Sequence, residues 1–408
     1  MAAIALLAVA LGVVATIQFR GTPHPPFDPW YHLDLARQWR NGTGLSSSAE
    51  IAAGYPLFVA AVDLLRPTFV GLPLALGLTQ SLLLGLNVVL TALLGRRVGP
   101  PWVGLAAAGA IAVWPNLVLA APLALAETLT ITCALGVVVL LSARPRPSLG
   151  ELAGAGALVA VGTELRPGLI LLLVLFPFVP AADGGRGRLR NLVVGGVVAF
   201  ALIVPFALRS SYVTRSVVPF DLRAGVNLCL GRAPGADDPP VDREECPVPD
   251  DATALEANDL RMHQAWEAFR SDPWREPGLV LTRGRVTVWD ADRSSLDELL
   301  RQDGHHPARS IDRWLDGLSS LLSRLTLLLA VVGAVLAAVR RDGPVLRVAA
   351  AALLLLVPAL IGLGDARYRM PAIPFLVVLA LSTFGRRGEK TPSAATAGSA
   401  ASPADAPS

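Results

Sequence analysis

The chain is poor in charge. Only 16% of its 408 residues are Asp, Glu, Lys or Arg, against roughly 25% in soluble domains. The deficit lies in long apolar stretches, and 53% of the residues are hydrophobic, which excludes an ordinary soluble globular protein. Lysine is nearly missing: Lys390 is the single one, so the positive charge is almost wholly arginine. Those arginines fall in short loops between apolar runs, so the pI near 9.0 does not point to nucleic acid. There are three cysteines, and no metal-ligand spacing accompanies them. His305 and His306 have only Asp303 nearby and read as solvated loop.

What the sequence does have is bilayer-length apolar segments, which need about 20 residues each. They fall near 1–19, 70–95, 102–121, 123–142, 149–164, 167–181, 191–209, 315–339, 346–363 and 370–385. The expected fold is all-α, a polytopic transmembrane bundle of about ten spans. The short pairs around Pro122 and Pro167 have re-entrant elements as their alternative. Met1 to Phe19 has no basic n-region and a poor cleavage site at its end, so it reads as a retained first span.

Orientation follows from the loops. Arg96-Arg97, Arg144 and Arg146, Arg186, Arg188 and Arg190, Arg340-Arg341 with Arg347, and Arg386-Arg387 all fall on one side. The positive-inside rule makes that side cytoplasmic. The N-terminus and the Ala/Ser/Pro-rich tail 386–408 are then cytoplasmic, and the tail reads as disordered. The membrane domain is 1–385. Its two long loops, about 20–69 and 210–312, are exoplasmic. In the first, Gly54 to about Leu65 is apolar but too short to span, so an interfacial helix is expected. In the second, Ala252 to Arg270 has a helical pattern and Leu279 to Trp289 has no clear period. Cys229 and Cys246 lie in this loop. An exoplasmic compartment permits a disulfide; the alternative is two unpaired thiols. Cys133, inside a span, reads as packing.

The remaining ionisable residues gather at the exoplasmic ends of spans. Asp28 and Asp34 follow the first span, Glu127 opens the fourth, Glu164 and Arg166 flank the turn after the fifth, and Asp365, Arg367 and Arg369 precede the tenth. A charge in the bilayer costs about 2.5–3.5 kcal/mol or more, so such residues face a cavity or mark a site. Segments far apart in sequence thus present acids and arginines at one depth, as a phosphorylated lipid head group requires. Each has a plainer reading. Asp28 before Pro29 makes a good helix N-cap. Asp34 and Arg37 make an i,i+3 surface pair. Glu164 and Arg166 can pair with each other, and Arg367 and Arg369 can snorkel. His24 and His32 read as structural.

These residues stand in motifs. The stretch "FDPWYHLDLARQWRNGTG" (Phe27 to Gly44) holds Asp28, Tyr31, Ala36 and Gly42. "AAGYPLFVAAVDLL", "PLALAETL", "ELRPG", "GVNLCLGRAPGA" and "ARYRMPAIP" follow in order. Together they resemble the GT-C class of integral membrane glycosyltransferases, which includes the protein O-mannosyltransferases and the lipid A aminoarabinose transferase. The likeness runs from about 20 to 385. There are departures. Pro29 stands where many members carry a second acid, Arg232 replaces an asparagine, the basic residues are all arginine, and the chain is short for the class.

The resemblance implies transfer of a sugar from a polyprenyl-phosphate donor to an envelope lipid, polysaccharide or protein acceptor. Asp28 would be the general base. Arg166, Arg367 and Arg369 would bind the donor phosphate. Tyr31, Asp34, Glu127, Glu164 and Tyr368 would orient substrates. No cofactor and no catalytic metal are expected, because a monophosphate donor leaves without obligatory metal help. The resemblance places the active site exoplasmically in the inner (plasma) membrane. Two other classes remain: a transporter or flippase for a lipid-linked glycan, and a non-catalytic envelope assembly subunit. The first should show internal repeats and charges near the midplane; no clear repeat is visible, and the charges cluster at one face.

Overall fold

A computed structural model describes residues 1–19, 28–43, 49–181, 184–237, 243–290, 296 and 309–385, with only the backbone described at Asp28. His24, His305, His306, Arg386, Arg387 and the tail 386–408 lie outside the described residues. Those described form helices and turns, with no strand among them. The protein is all-α.

Each of the ten expected spans has a helix. In chain order α1 (Ala2–Gln18), α2 (Asp28–Arg40), α3 (Gly54–Leu65), α4 (Leu72–Val98), α5 (Pro101–Ala112), α6 (Pro115–Leu119), α7 (Glu127–Leu141) and α8 (Leu149–Leu165) come first. A 3-10 segment (Pro167–Phe178) then leads to α9 (Gly184–Thr214). Four helical stretches are long and apolar enough to cross a membrane unaided: Leu72–Val98, Gly184–Thr214, Gly317–Arg340 and Gly343–Ile361. Proline interrupts two of the other runs. Pro115 restarts the chain after α5, so the run 102–121 becomes two helices. Pro167 opens the 3-10 segment and Pro177 lies inside it. The smaller number of residues per turn compensates, because at about 2.0 Å rise per residue those 12 residues still cover roughly 24 Å.

Small residues let the helices approach. Bare backbone at Gly77 faces Thr16, Ser81 faces Gly12, and Gly85 faces Val9. The pairing order shows that α1 and α4 run antiparallel. The spacing of four residues is the small-xxx-small seam by which membrane helices pack without a hydrophobic driving force. Asn87 adds a polar tie, donating to the Thr128 carbonyl at 3.0 Å and accepting from Thr132 at 2.8 Å.

In the first long loop α3 forms over the short apolar segment and joins α2 through Asp63, which accepts from both Arg40 and Arg66. The second long loop forms α10 (Ala224–Leu230), α11 (Ala254–Ser271), α12 (Glu276–Gly284) and a π turn at Arg285–Trp289. Thr253 and Glu256 close a capping box that starts α11. Cys229 and Cys246 are bridged, with Cα atoms 6.2 Å apart. Three arginines clamp this loop onto the last third of the chain, where α13 (Arg309–Arg340), α14 (Gly343–Ile361), a 3-10 turn (Ala366–Ala372) and α15 (Ile373–Ser382) lie. Arg232 and Arg283 share the Glu276 carboxylate at 2.7 and 2.6 Å and reach the carbonyls at Ile361 and Gly362. Arg369 donates to the carbonyls of Val288 and Asp290 at 2.8 and 3.0 Å.

Candidate active site

The site begins at the start of α7. Gln80 of α4 donates its side-chain amide to the carbonyls of Ala121 and Leu123 and accepts from the Tyr55 hydroxyl at 3.3 Å. That fixes the turn leading into Glu127. The carboxylate is then fully buried in the first turn of α7, where an acid suits the helix dipole.

Two arginines meet it there. Arg166 Nη2 and Arg367 Nε both donate to Glu127 Oε1. Arg166 caps the end of α8, and Arg367 lies in the 3-10 turn before α15. The Arg166 guanidinium also stacks on the Tyr368 ring, 5.1 Å from its centre. Glu127 Oε2 is buried without a hydrogen-bond partner among the described residues. One carboxylate thus gathers two cations that no sequence neighbourhood connects.

Arg166, Arg367 and Tyr368 line a cavity of about 260 Å³. Its lining also includes the apolar Leu169, Leu355, Pro358, Ala359 and Leu363 and the polar His32, Asp221, Arg223 and Asn227. His32 sets its ring edge-on to Tyr55 at 4.8 Å, which fastens α2 to α3 beside the cavity. Burial raises the Asp221 carboxyl above its ordinary value, against the pull of the Arg223 amide and charge.

The expected site residues therefore divide. Glu127, Arg166, Arg367 and Tyr368 come together. Glu164 is close by, since Gly54 rests directly on its backbone, but its buried carboxylate oxygen Oε1 has no hydrogen-bond partner among the described residues. Asp34 accepts from Gln38 at 2.7 Å, its partner in place of the expected Arg37. Tyr31 stacks edge-on to Trp30 at 5.2 Å. Arg369 is buried against the Val288 and Asp290 carbonyls and does not line the cavity. Asp28 is the first residue of α2, one turn before His32. Among the described residues no three His, Cys, Asp or Glu side chains gather to hold a metal.

Four polar lining residues are not among the expected site residues. His32 reads as structural in the sequence. Asn227 stands inside the matched "GVNLCLGRAPGA" stretch, which was the available signal. Asp221 and Arg223 sit in a loop without periodicity, and nothing local marks them.

No protein-family model matches the chain, and no curated protein matches it by sequence. Solved structures do match. The Archaeoglobus fulgidus oligosaccharyltransferase tethered with an acceptor peptide containing the NVT sequon aligns at TM-score 0.53, 14% identical, over 93% of this chain and 49% of that one. The same enzyme in complex with Zn and sulfate aligns at TM-score 0.53, 13% identical, over 93% and 48%. ArnT from Cupriavidus metallidurans bound to undecaprenyl phosphate aligns at TM-score 0.43, 15% identical, over 94% and 77%. The chain spans about half the length of the oligosaccharyltransferase it matches. Over that half it shares the fold of the oligosaccharyltransferase.

Proposed function

We propose that this chain is a membrane glycosyltransferase that moves one sugar from a polyprenyl-phosphate donor to an envelope lipid, polysaccharide or protein acceptor. The observation that carries this reading is the pair Arg166 and Arg367, held by Glu127 and lining a cavity that also has apolar lining residues. Two guanidinium groups suit the oxygens of a phosphate, and the apolar side suits an isoprenoid chain. The shared fold with an oligosaccharyltransferase supports the same reaction class. A volume near the lower end of the ~300–1,000 Å³ range of ligand pockets favours a hexosyl or pentosyl unit over an oligosaccharide.

In the reaction the acceptor hydroxyl oxygen attacks the anomeric carbon. The bond from that carbon to the phosphate oxygen breaks, and the configuration inverts. Arg166 and Arg367 stabilise the charge that grows on the departing phosphate. Asp28 takes the hydroxyl proton as general base; its helix supplies His32 to the cavity wall, which supports that assignment. Tyr31, Asp34 and Glu164 orient the acceptor side. Arg369 acts on the phosphate through the turn that carries Arg367. Neither a metal nor a cofactor takes part.

The cavity end is exoplasmic. Arg97, at the far end of α4, donates to the Val139 carbonyl near the last turn of α7, opposite to Glu127. This puts the arginine-bearing end of α4 opposite to Glu127, which supports a cytoplasmic basic end.

The test is transfer by the purified protein from polyprenyl-phosphate sugars, with Asp28→Asn beside it. Transfer lost in the variant while donor binding persists supports the base. Full turnover in Asp28→Asn removes that role, and no transfer with any donor in the wild type removes the reaction. Activity abolished by chelation and restored by a divalent ion defeats the metal-free reaction. Lipid movement in proteoliposomes without transfer indicates a flippase instead.

A further inference from the structure

We infer that Asp221 and Asn227, which line the same cavity as the Arg166–Arg367 pair, read the hydroxyl groups of the donor's sugar and set sugar selectivity. This rests on the glycosyl-transfer reading and deepens it.

Both side chains line the cavity and come from one short stretch of the second long loop. That stretch is firmly placed. The Gly225 amide donates to Asn258 Oδ1 at 2.9 Å, and a Cβ at Gly225 would collide with the Asn258 carbonyl. Gly231 likewise rests on the backbone of Gly362. The disulfide from Cys229 to Cys246 ties the end of α10 to the rest of the loop. A wall built this way holds its polar groups in fixed positions, which discrimination between sugars requires.

Asp221 Oδ1 accepts from the Arg223 amide at 3.2 Å. Its other oxygen has no hydrogen-bond partner among the described residues, and neither has the Asn227 side-chain amide. A carboxylate repels phosphate and accepts from hydroxyls; an amide both donates and accepts. Arg223 beside Asp221 offsets that carboxylate's charge, whereas Arg166 and Arg367 are two cations on one acid; the phosphate is assigned to that pair and the sugar hydroxyls to Asp221 and Asn227. A site that hydrogen-bonds a hydroxyl rejects the analogue lacking it, because its own polar groups are then left unpaired.

The experiment is equilibrium binding by the full chain in nanodiscs. The probes are bare undecaprenyl phosphate and its mannosyl, glucosyl, galactosyl and arabinosyl forms. The variants are Asp221→Asn, Asp221→Ala and Asn227→Ala, with thermal midpoints measured alongside. The wild type should prefer one glycosylated donor over the others. Asp221→Ala should weaken that donor about ten- to a hundredfold and level the preference, while bare undecaprenyl phosphate stays within about twofold. Asp221→Asn, which keeps the shape, should level it too. Equal losses for bare and glycosylated lipids, or an unchanged sugar ranking, overturns the inference. If bare undecaprenyl phosphate fails to bind, or binds as well to Arg166→Ala and Arg367→Ala proteins, the glycosyl-transfer reading itself falls, and this inference falls with it.

Discussion

Arg367 donates to Glu127 from 240 residues further along the chain. Together with the Arg166 contact on the same oxygen, it means that one buried acid sets the position of two cations. A buried ion pair adds little net stability, but removing one partner leaves an uncompensated charge, at a cost of about 3–5 kcal/mol. Glu127→Gln keeps the shape and removes the charge. We expect the thermal midpoint of the detergent-solubilised protein to fall, and transfer to fall further than the folded fraction, because both arginines lose their anchor. An unchanged midpoint with full activity shows that Glu127 positions neither of them.

Tyr368 offers a sharper separation. Its ring lies under the Arg166 guanidinium, a contact worth about 0.5–2 kcal/mol, while its hydroxyl is not part of that stack. Tyr368→Ala should raise donor KM roughly three- to thirtyfold, and Tyr368→Phe, which keeps the ring under the guanidinium, should raise it less. Arg166→Lys keeps the charge but not the planar fork, and should resemble the alanine variant at 368 rather than the wild type. Steady-state kinetics over a donor series reads all three. Equal damage from Phe and Ala would point to the hydroxyl instead.

Much of this was legible in sequence, and the reasons differ by element. Spans are visible because a bilayer demands long apolar runs wherever they occur. The α3 segment is visible because a largely apolar stretch of twelve residues is too short to cross. Glu127, Arg166 and Arg367 stood out because charges near a bilayer need a cause. Cavity walls obey no such rule. Asp221 lines the site only because Gly225 packs on Asn258 and Gly231 packs on Gly362, which are contacts across 33 residues or more. The fate of Arg369 was hidden for the same reason. Its proximity to Arg367 suggested one shared task, yet its guanidinium satisfies carbonyls at the end of the π turn. The shortening of α5 and the 3-10 winding at Pro167 were signalled by proline, but the exact stops depend on packing.

The Cys229–Cys246 bridge closes a sequence separation of 17, for which loop-closure arguments give about 3 kcal/mol. The loop it closes precedes Glu276 and Arg283, the residues that hold Ile361 and Gly362 just before the Arg367 turn. Cys229→Ser with Cys246→Ser should therefore lower the thermal midpoint and also raise donor KM. A reductant should do the same to the wild type and nothing to the double variant. Loss of stability with an unchanged KM would show that the clamp does not reach the site.

The Asp63 cluster predicts an acid sensitivity. Burial alone raises this carboxyl, but the hydrogen bonds and charges of Arg66 and Arg40 outweigh it and hold it below its ordinary value. A depressed carboxyl contributes stability that is fully present above its unfolded value and is lost as pH falls through the folded one. The loss thus belongs below about pH 4, the ordinary aspartate range. Arg40 is half-exposed, so solvent screens its share and the whole effect should stay near 1 kcal/mol or less. What the cluster holds is the attachment of α2 to α3, and α2 carries Asp28 and His32. Asp63→Asn should increase hydrogen exchange in 28–40 at neutral pH more than in α4, and flatten the acid dependence seen in the wild type. If exchange in α2 is unchanged, its docking rests on the His32–Tyr55 contact and the buried faces of Leu33 and Ala36, and the ion cluster is only a surface feature.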